Sequence, residues 1–269
     1  PPRLSEFEME IPEERIAQNP TKKRDDCKLM ILDPKKKTIE HKKFFNIVDY
    51  MKKGDVLVMN DTMVYPARIY AWKEKSESKV EVFLLRELEN DLWEAMVRPA
   101  RKVRIGNKLI FGDGIECDVI DNTISGGRVL RFEYDVPTIY PFIDKHGLSP
   151  LPPYIKRAKH GNPADLEMYQ TIYARNKGAF AAPTAGLHFT DSLLTTIAAG
   201  GAKIVYLTLN VGAGTFLPVK VKHIADHKMH PEWGQINSNT ANDINTVRKN
   251  GGKVIACGTT VLRLLESAT

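Results

Sequence analysis

Cysteine is scarce in this chain. The three cysteines, Cys27, Cys117 and Cys257, are odd in number, lie far apart and form no Cys-x-x-Cys pair. This usage argues against a disulfide framework and against a zinc knuckle, because both need paired cysteines. We therefore expect the protein in a reducing compartment, the cytoplasm.

Long apolar runs are also missing. Nowhere do the roughly 18 consecutive apolar residues of a membrane span occur. The first residues, PPRLSEFEMEIPEE, are acidic and lack the apolar core of a signal peptide. The sequence thus predicts neither a membrane span nor secretion.

A strong excess of one charge is absent as well. The chain has 39 Lys and Arg against 33 Asp and Glu, a net charge of +6. So small an excess is compatible with a polyanionic partner but identifies none. Net charge affects how a protein meets charged partners, and it does not determine the fold.

What the chain does have is a regular succession of short elements. Its 269 residues, 42% of them hydrophobic, suit one large or two modest domains. The apolar segments DVLVMND, KIVYLTLN and KVIACGTT predict strands, and patterns such as FFNIVDYMKKGD predict helices between them. This is typical of an α/β fold, in which parallel strands end in polar loops at one edge.

Residues 65–135 have a different pattern. Short alternating segments such as LWEAMVRP and GGRVLRFEYD are separated by Gly-rich or Asn-rich turns. Successive antiparallel strands with tight turns predict a small β-barrel or sandwich. Because helix-rich sequence flanks it on both sides, we expect an inserted domain.

The stretch GAFAAPTAGLHFTD, residues 178–191, joins a small-residue loop to a helix. Thr190 is the expected N-cap, and Gly200 and Gly201 are expected to end the helix. His188 therefore precedes a helix N-terminus, which can hold an anionic group. The alternative is that AAPTAG is a tight turn and His188 a hydrogen-bonded structural residue.

Two later loops resemble this one in position. Gly212 and Gly214 in VGAGTF are expected to let the backbone approach a ligand closely, although their spacing is not that of a dinucleotide-binding loop. The loop 258–260, Gly-Thr-Thr, also follows an apolar strand. If the strands are parallel, His188, residues 212–215 and residues 258–260 converge at one edge.

Three histidines have a spacing that can bind metal. His223, His227 and His230 stand at i, i+4 and i+7, and on a helix they would share one face. No carboxylate or cysteine completes the set, and Pro231 would end the helix at once. A metal site is therefore an alternative rather than the expectation.

Cations cluster in two places. Arg98, Arg101 and Lys102 lie in the expected barrel, where they suit a phosphate backbone or, equally, a solvated edge strand. Arg157 and Arg175 are interleaved with tyrosines, a mixture that can contact phosphates and stack bases. Tyrosines at helical spacing are also common packing residues.

These residues together resemble a known family, the S-adenosylmethionine:tRNA ribosyltransferase-isomerases. The similar motifs follow one another over nearly the whole chain: IPEERIAQNP, GDVLVMNDTMVYPARI, LPPYIKR, YQTIYARNKGAFAAPTAGLHFT, TLNVGAGTFLPV, DHKMHPEW and VIACGTT followed by RLLES. The resemblance implies a barrel-like α/β catalytic domain, here residues 1–64 and 150–269, with a β-barrel domain inserted at residues 65–149.

The resemblance also implies a reaction. The ribosyl part of S-adenosylmethionine is transferred to 7-aminomethyl-7-deazaguanine at the wobble position of tRNA and isomerised, giving epoxyqueuosine, adenine and methionine. S-adenosylmethionine is then a substrate, and we expect no separate cofactor and no metal. The partner is tRNA, and a monomer is expected. Such a route needs a positioned base and gains from a proton donor for adenine.

The candidate site residues fall into three groups. The candidates for proton transfer are His188, His227 and His230, because histidine titrates near neutral pH. The candidates for substrate binding are Asp61, Arg68, Thr184, Gly186, Gly212, Gly214, Thr215, Thr259 and Thr260. The candidates for binding tRNA phosphates are Arg98, Arg101, Lys102, Arg157 and Arg175.

The chain departs from the family pattern at Met63, Asn210 and Val261, where Arg, His and Ser are common. These departures keep an inactive tRNA-binding relative open as an alternative, beside a metal-dependent hydrolase built on the three histidines. Family members also continue beyond the position of Thr269, so we expect the sequence to be incomplete at the C-terminus.

Overall fold

The structure is a computed structural model, and it describes residues 2–76, 78–89, 91–123, 126–133, 138–158, 161–216, 219 and 221–268. The chain divides into two compact units. The α/β unit consists of Pro1–Val64, Pro152–Lys156 and Met168–Thr269. The barrel unit consists of Tyr65–Leu151 and Arg157–Glu167.

The described elements are strands and short helices. The strands are β1 Lys28–Asp33, β2 Thr38–Lys43, β3 Val56–Asn60, β4 Thr62–Val64, β5 Arg68–Lys73, β6 Lys79–Glu89, β7 Leu92–Arg98, β8 Lys108–Ile110, β9 Glu116–Asn122, β10 Arg128–Glu133, β11 Asn176–Ala179, β12 Lys203–Asn210, β13 Trp233–Gln235 and β14 Val254–Ala256. The α-helices are α1 Tyr140–His146, α2 Asp165–Met168, α3 Asp191–Ala199, α4 Ser238–Lys249 and α5 Thr259–Ser267. The 3₁₀ helices are Leu4–Phe7, Glu13–Arg15, Arg24–Asp26, Phe44–Tyr50, Ala100–Lys102, Gly112–Gly114, Thr184–His188, Ala213–Phe216 and Ile224–Asp226.

A four-stranded sheet forms the centre of the α/β unit. Its order is β13-β12-β3-β14, with β3 parallel to β12 and β14 and with β13 antiparallel at the edge. Every residue of β3 is buried, as expected of a central parallel strand covered on both faces. Leu57 and Met59 pack towards α3 and the Phe44–Tyr50 helix, whereas Val56 and Val58 pack towards α4 and α5. The predicted α/β fold class is confirmed.

Capping residues set the ends of α3 as the sequence predicts. The Thr190 hydroxyl accepts a hydrogen bond from the Leu193 N–H at 3.3 Å, and Gly200 caps the other end. Gly201 follows in the left-handed region, with φ of 85°, where glycine has no steric penalty. The FFNIVDY segment differs from the prediction, because it forms a 3₁₀ rather than an α-helix.

The barrel unit contains a closed antiparallel barrel. Its strand order is β10-β7-β6-β5-β8-β9. Along β7, Trp93, Ala95 and Val97 are buried while the residues between them are more exposed, which is the alternation of a strand with one face in a core. The sequence left a barrel and a sandwich open, and the structure has the barrel.

The segment 157–167 belongs to the barrel unit, whereas the boundary drawn from sequence gave it to the catalytic domain. Arg157 and Asp165 pair within this segment at 2.8 Å. The Gly161 backbone packs on Leu148, since a Cβ there would lie 3.0 Å from a Leu148 methyl group. The contact between Gly161 and Leu148 has no signal in the local sequence pattern.

No helix in the described part of the chain is long and apolar enough to cross a membrane.

Candidate active site

A cavity of about 740 Å³ opens at the carboxyl edge of the parallel strands in the α/β unit. The loops that follow β11, β12 and β14 all contribute to its wall. Its lining residues are Pro152, Pro153, Tyr154, Tyr169, Ala181, Ala182, Pro183, Thr184, Ala185, Val211, Thr215, Gly258, Thr259 and Thr260. The structure brings Thr184, Thr215 and residues 258–260 of these three loops together in one wall.

The cavity wall combines hydroxyl groups with apolar and aromatic surface. Four threonines supply the hydroxyls, and Tyr154, Tyr169 and the prolines supply much of the rest. Burial raises the pKa of Tyr169 to about 12, so its hydroxyl keeps its proton at neutral pH. Sequence reasoning left base stacking and packing open for the tyrosines of this segment and missed their place in this wall.

Gly186 and Gly214 serve packing rather than ligand contact. A Cβ on Gly186 would collide with the Tyr173 hydroxyl. A Cβ on Gly214 would lie 2.6 Å from the His230 ring. Neither these two glycines nor Gly212 lines this cavity among the described residues.

His188 lies away from the cavity lining. The 3₁₀ turn Thr184–His188 carries it to the core face, where its Nδ1 lies 3.2 Å from Cys27 Sγ and its ring lies 5.2 Å from the Phe44 ring. Burial, followed by the positive charge of Arg24, lowers the pKa of His188. His188 is therefore not among the residues that line this cavity, and its surroundings match the structural alternative.

The three later histidines do not share a helical face. Their segment contains only the three-residue 3₁₀ helix Ile224–Asp226, so the premise of an i, i+4, i+7 ligand set is wrong. His227 is half-buried, and His230 is exposed with its ring against Gly214. No group of three or more His, Cys, Asp or Glu among the described residues could hold a metal ion.

Glu232 and Arg263 hold the loop that carries Gly212 and Thr215. One Glu232 carboxylate oxygen accepts the Gly212 N–H at 2.8 Å, and the other is paired with Arg263. Arg263 Nη2 also donates to the His230 carbonyl at 3.0 Å. We call these residues, Gly212, His230, Glu232 and Arg263, the Glu232 clamp. Sequence reasoning missed it because its members are far apart in the chain.

Asp61 is enclosed in a polar network instead of facing a ligand. Its carboxylate accepts hydrogen bonds from Arg175 Nε at 2.6 Å, Thr208 Oγ1 at 2.6 Å and Asn176 Nδ2 at 3.1 Å. The Asp61 side chain is only 3% exposed. The neighbouring Asn60 donates to the Thr260 hydroxyl at 3.3 Å. The end of β3 thus positions other groups near the cavity.

The cations proposed for tRNA differ in their surroundings. In the barrel unit, the Arg157 guanidinium forms two hydrogen bonds with Asp165, at 2.8 and 3.0 Å. Arg98, Arg101 and Lys102 are exposed. Arg175, in the α/β unit, is bound to Asp61 yet remains 60% exposed.

Arg68 stands in β5 and belongs to the barrel unit, whereas Asp61 belongs to the α/β unit. Its Nη2 donates to the Leu151 carbonyl at 3.1 Å, and its Nε lies 3.9 Å from Glu81. These contacts give Arg68 a role in holding the barrel unit together.

Asn210, one departure from the family pattern, has a local role. Its Oδ1 accepts a hydrogen bond from Thr62 Oγ1 at 2.7 Å. Its amide also fills the space in which Gly178 would carry a Cβ. A histidine ring at this position would be larger than the Asn210 amide and would need a different arrangement of β11.

Comparison with known proteins identifies the family of this chain. A family model described as "Queuosine biosynthesis protein" matches residues 4–269. An S-adenosylmethionine:tRNA ribosyltransferase-isomerase of Chloroherpeton thalassium is 49% identical over 268 residues, covering 98% of this chain and 77% of that protein. A protein of the same name from Halothermothrix orenii is 48% identical over 267 residues, covering 99% and 77%.

Among solved structures, an S-adenosylmethionine tRNA ribosyltransferase of Thermotoga maritima is 28% identical to this chain. The alignment covers 98% of this chain and 72% of the other, with a TM-score of 0.45. On the strength of the family model and the close relatives, this chain belongs to the queuosine biosynthesis family of S-adenosylmethionine:tRNA ribosyltransferase-isomerases.

Proposed function

We propose that this protein transfers the ribosyl moiety of S-adenosylmethionine to 7-aminomethyl-7-deazaguanine at the wobble position of tRNA and isomerises it. The products are epoxyqueuosine, adenine and methionine. The observation that carries the proposal is the cavity of about 740 Å³ at the sheet edge, in a chain 49% identical to a protein named for this activity. Such a volume suits one ligand of the size of S-adenosylmethionine.

The wall of the cavity suits this substrate chemically. Threonine hydroxyls both donate and accept hydrogen bonds, as the ribose hydroxyls and the amino group of adenine require. Tyrosine faces attract cations, and the sulfonium of S-adenosylmethionine is one. We assign Thr184, Thr215, Thr259 and Thr260 to substrate contact.

The proton-transfer group has to reach the carbon beside the sulfonium. Tyr169 is a donor rather than a base, because its raised pKa keeps its proton in place. His188 is assigned to packing. His227 and His230, which belong to the segment that packs on the Gly212–Thr215 loop, stay as the candidates for proton transfer.

All lining residues of the cavity belong to the α/β unit, and a monomer stays the expected working form. The three cysteines are free, in keeping with a cytoplasmic site of action. S-adenosylmethionine is consumed as a substrate, so the proposal includes no separate cofactor.

One assay tests the proposal. The protein is incubated with S-adenosylmethionine and with tRNA that carries the deazaguanine precursor, and both adenine and the modified nucleoside are quantified. We expect adenine and epoxyqueuosine in equal amounts, and neither with tRNA that carries guanine at the wobble position. Binding of tRNA without adenine release would instead support an inactive tRNA-binding relative.

A further inference from the structure

We propose that Arg175 is a preoriented binding site for an oxyanion of the substrates, either a backbone phosphate of tRNA or the carboxylate of S-adenosylmethionine. This inference deepens the proposed function and rests on it for the identity of the two ligands. The buried end of β3 holds one exposed guanidinium, that of Arg175.

Arg175 is fixed at several points. Its backbone N–H donates to the Asp61 carbonyl at 3.0 Å, and its Nε donates to the Asp61 carboxylate at 2.6 Å. Its guanidinium carbon lies 5.1 Å from the centre of the Tyr206 ring. A side chain restrained in this way loses less freedom when it binds a ligand.

The fixed guanidinium still has binding capacity. Only Nε is used by Asp61, and in the described part of the chain no residue accepts a hydrogen bond from either Nη group of Arg175. Two parallel Nη donors match two oxygens of a phosphate or carboxylate. The side chain is 60% exposed, so such a group can reach it.

A second ion pair in this chain shows what a purely structural arginine looks like. Arg157 directs both Nε and Nη2 to Asp165, and its side chain is only 16% exposed. Arg175, by contrast, donates only its Nε–H to the buried Asp61 carboxylate. Asp61 already accepts from Thr208 and Asn176, so the network holds Arg175 in place beyond neutralising Asp61.

The position of Arg175 fits a substrate contact. Thr208, which binds Asp61, lies three residues before Val211 on the same chain segment, and Val211 lines the cavity. Three residues of a strand span about 10 Å. Arg175 itself directly precedes β11, which leads into the cavity-lining residues 181–185. Arg175 is therefore held at the carboxyl end of β3, in the same unit as the cavity.

Binding measurements without turnover test the proposal. Arg175→Gln, Arg175→Lys and the control Arg248→Gln, an exposed arginine of α4, are compared by affinity for tRNA over a range of salt concentrations. The same variants are titrated with S-adenosylmethionine and with its decarboxylated analogue. Thermal unfolding of each variant checks that it is folded.

Loss of one charged hydrogen-bonding group predicts roughly a tenfold weaker complex for Arg175→Gln. If the ligand is a phosphate, tRNA affinity falls and the salt slope decreases by about 1, with S-adenosylmethionine unaffected. If it is the carboxylate, affinity for S-adenosylmethionine falls and that for the decarboxylated analogue does not.

Arg175→Lys keeps a cation beside Asp61, so it stays informative if the Arg175→Gln variant does not fold. A single ammonium cannot serve Asp61 and two ligand oxygens at once, and we expect it to bind several-fold more weakly than the native protein. The proposal is overturned if both Arg175 variants bind both ligands as Arg248→Gln does. None of these binding measurements depends on adenine release. A failure of the Arg175 proposal is therefore distinguishable from a failure of the proposed function.

Discussion

His188 shows how one residue changes meaning between sequence and structure. In the sequence it stands next to a helix N-terminus in a small-residue loop, which is a common place for a functional histidine. In the structure it lies between Cys27 and Phe44. Burial and the nearby Arg24 lower the pKa of its imidazole, and burial raises the pKa of the Cys27 thiol. The pair is therefore neutral at neutral pH, with no thiolate to act as a nucleophile.

The two ends of the Thr184–His188 turn allow a matched test. Thr184→Val removes a hydroxyl from the cavity wall, and we expect the KM for S-adenosylmethionine to rise roughly two- to tenfold, as for loss of one hydrogen bond. His188→Gln keeps a polar side chain outside the cavity, and we expect adenine release within about twofold of the native rate. Steady-state kinetics of adenine release measures both. A His188→Gln variant that folds but releases no adenine would return His188 to the catalytic group.

At the scale of elements, the sequence predicts best what is decided locally. The cap at Thr190 and the glycines that end α3 depend on neighbouring residues, and the structure has them where they were expected. The buried strand β3 follows from an unbroken apolar run. The alternation of β7 likewise indicates one face in a core.

What the sequence could not predict depends on contacts between distant residues. The 3₁₀ turn that rotates His188 away from the cavity is decided by packing against Phe44 and Cys27. The need for glycine at residue 214 comes from the His230 ring. A local pattern gives the residue type in such cases, but not the partner that requires it.

The Glu232 clamp gives a prediction at this scale. In Glu232→Ala the Gly212 N–H loses its acceptor and Arg263 loses its carboxylate partner, so the loop that carries Thr215 is held less firmly. We expect kcat/KM for adenine release to fall by about tenfold, mostly through KM, as for loss of a charged acceptor. Glu232→Gln keeps an acceptor for Gly212 and should recover part of the loss.

Asp243→Ala is the control for the clamp. Asp243 forms an exposed ion pair with Lys203 in the same unit and does not line the cavity. Surface pairs of this kind contribute little, so its kinetics should match those of the native protein. Equal losses in the Asp243 and Glu232 variants would mean that the clamp has no special relation to the site.

At the scale of the whole molecule, the net charge of +6 is a poor guide to where tRNA binds. Many cations are already paired: Arg157 with Asp165, and Lys108 with Glu116 and Glu133. By contrast, Arg101 and Lys102 are exposed and form no ion pair with any described residue. A nearby carboxylate offsets part of the charge of a paired cation, whereas an unpaired cation acts on a phosphate with its full charge.

The short helix Ala100–Lys102 is therefore the place to test tRNA binding by the barrel unit. We expect Arg101→Ala combined with Lys102→Ala to weaken tRNA binding and to reduce the salt slope by about 2, since two phosphate contacts are lost. Affinity for S-adenosylmethionine should not change. Lys35→Ala combined with Lys36→Ala removes the same charge from the turn between β1 and β2. The two double variants have the same net charge, so only a localised contact can make their tRNA affinities differ. If the Lys35 and Lys36 control lowers tRNA affinity equally, the tRNA responds to overall charge rather than to this helix.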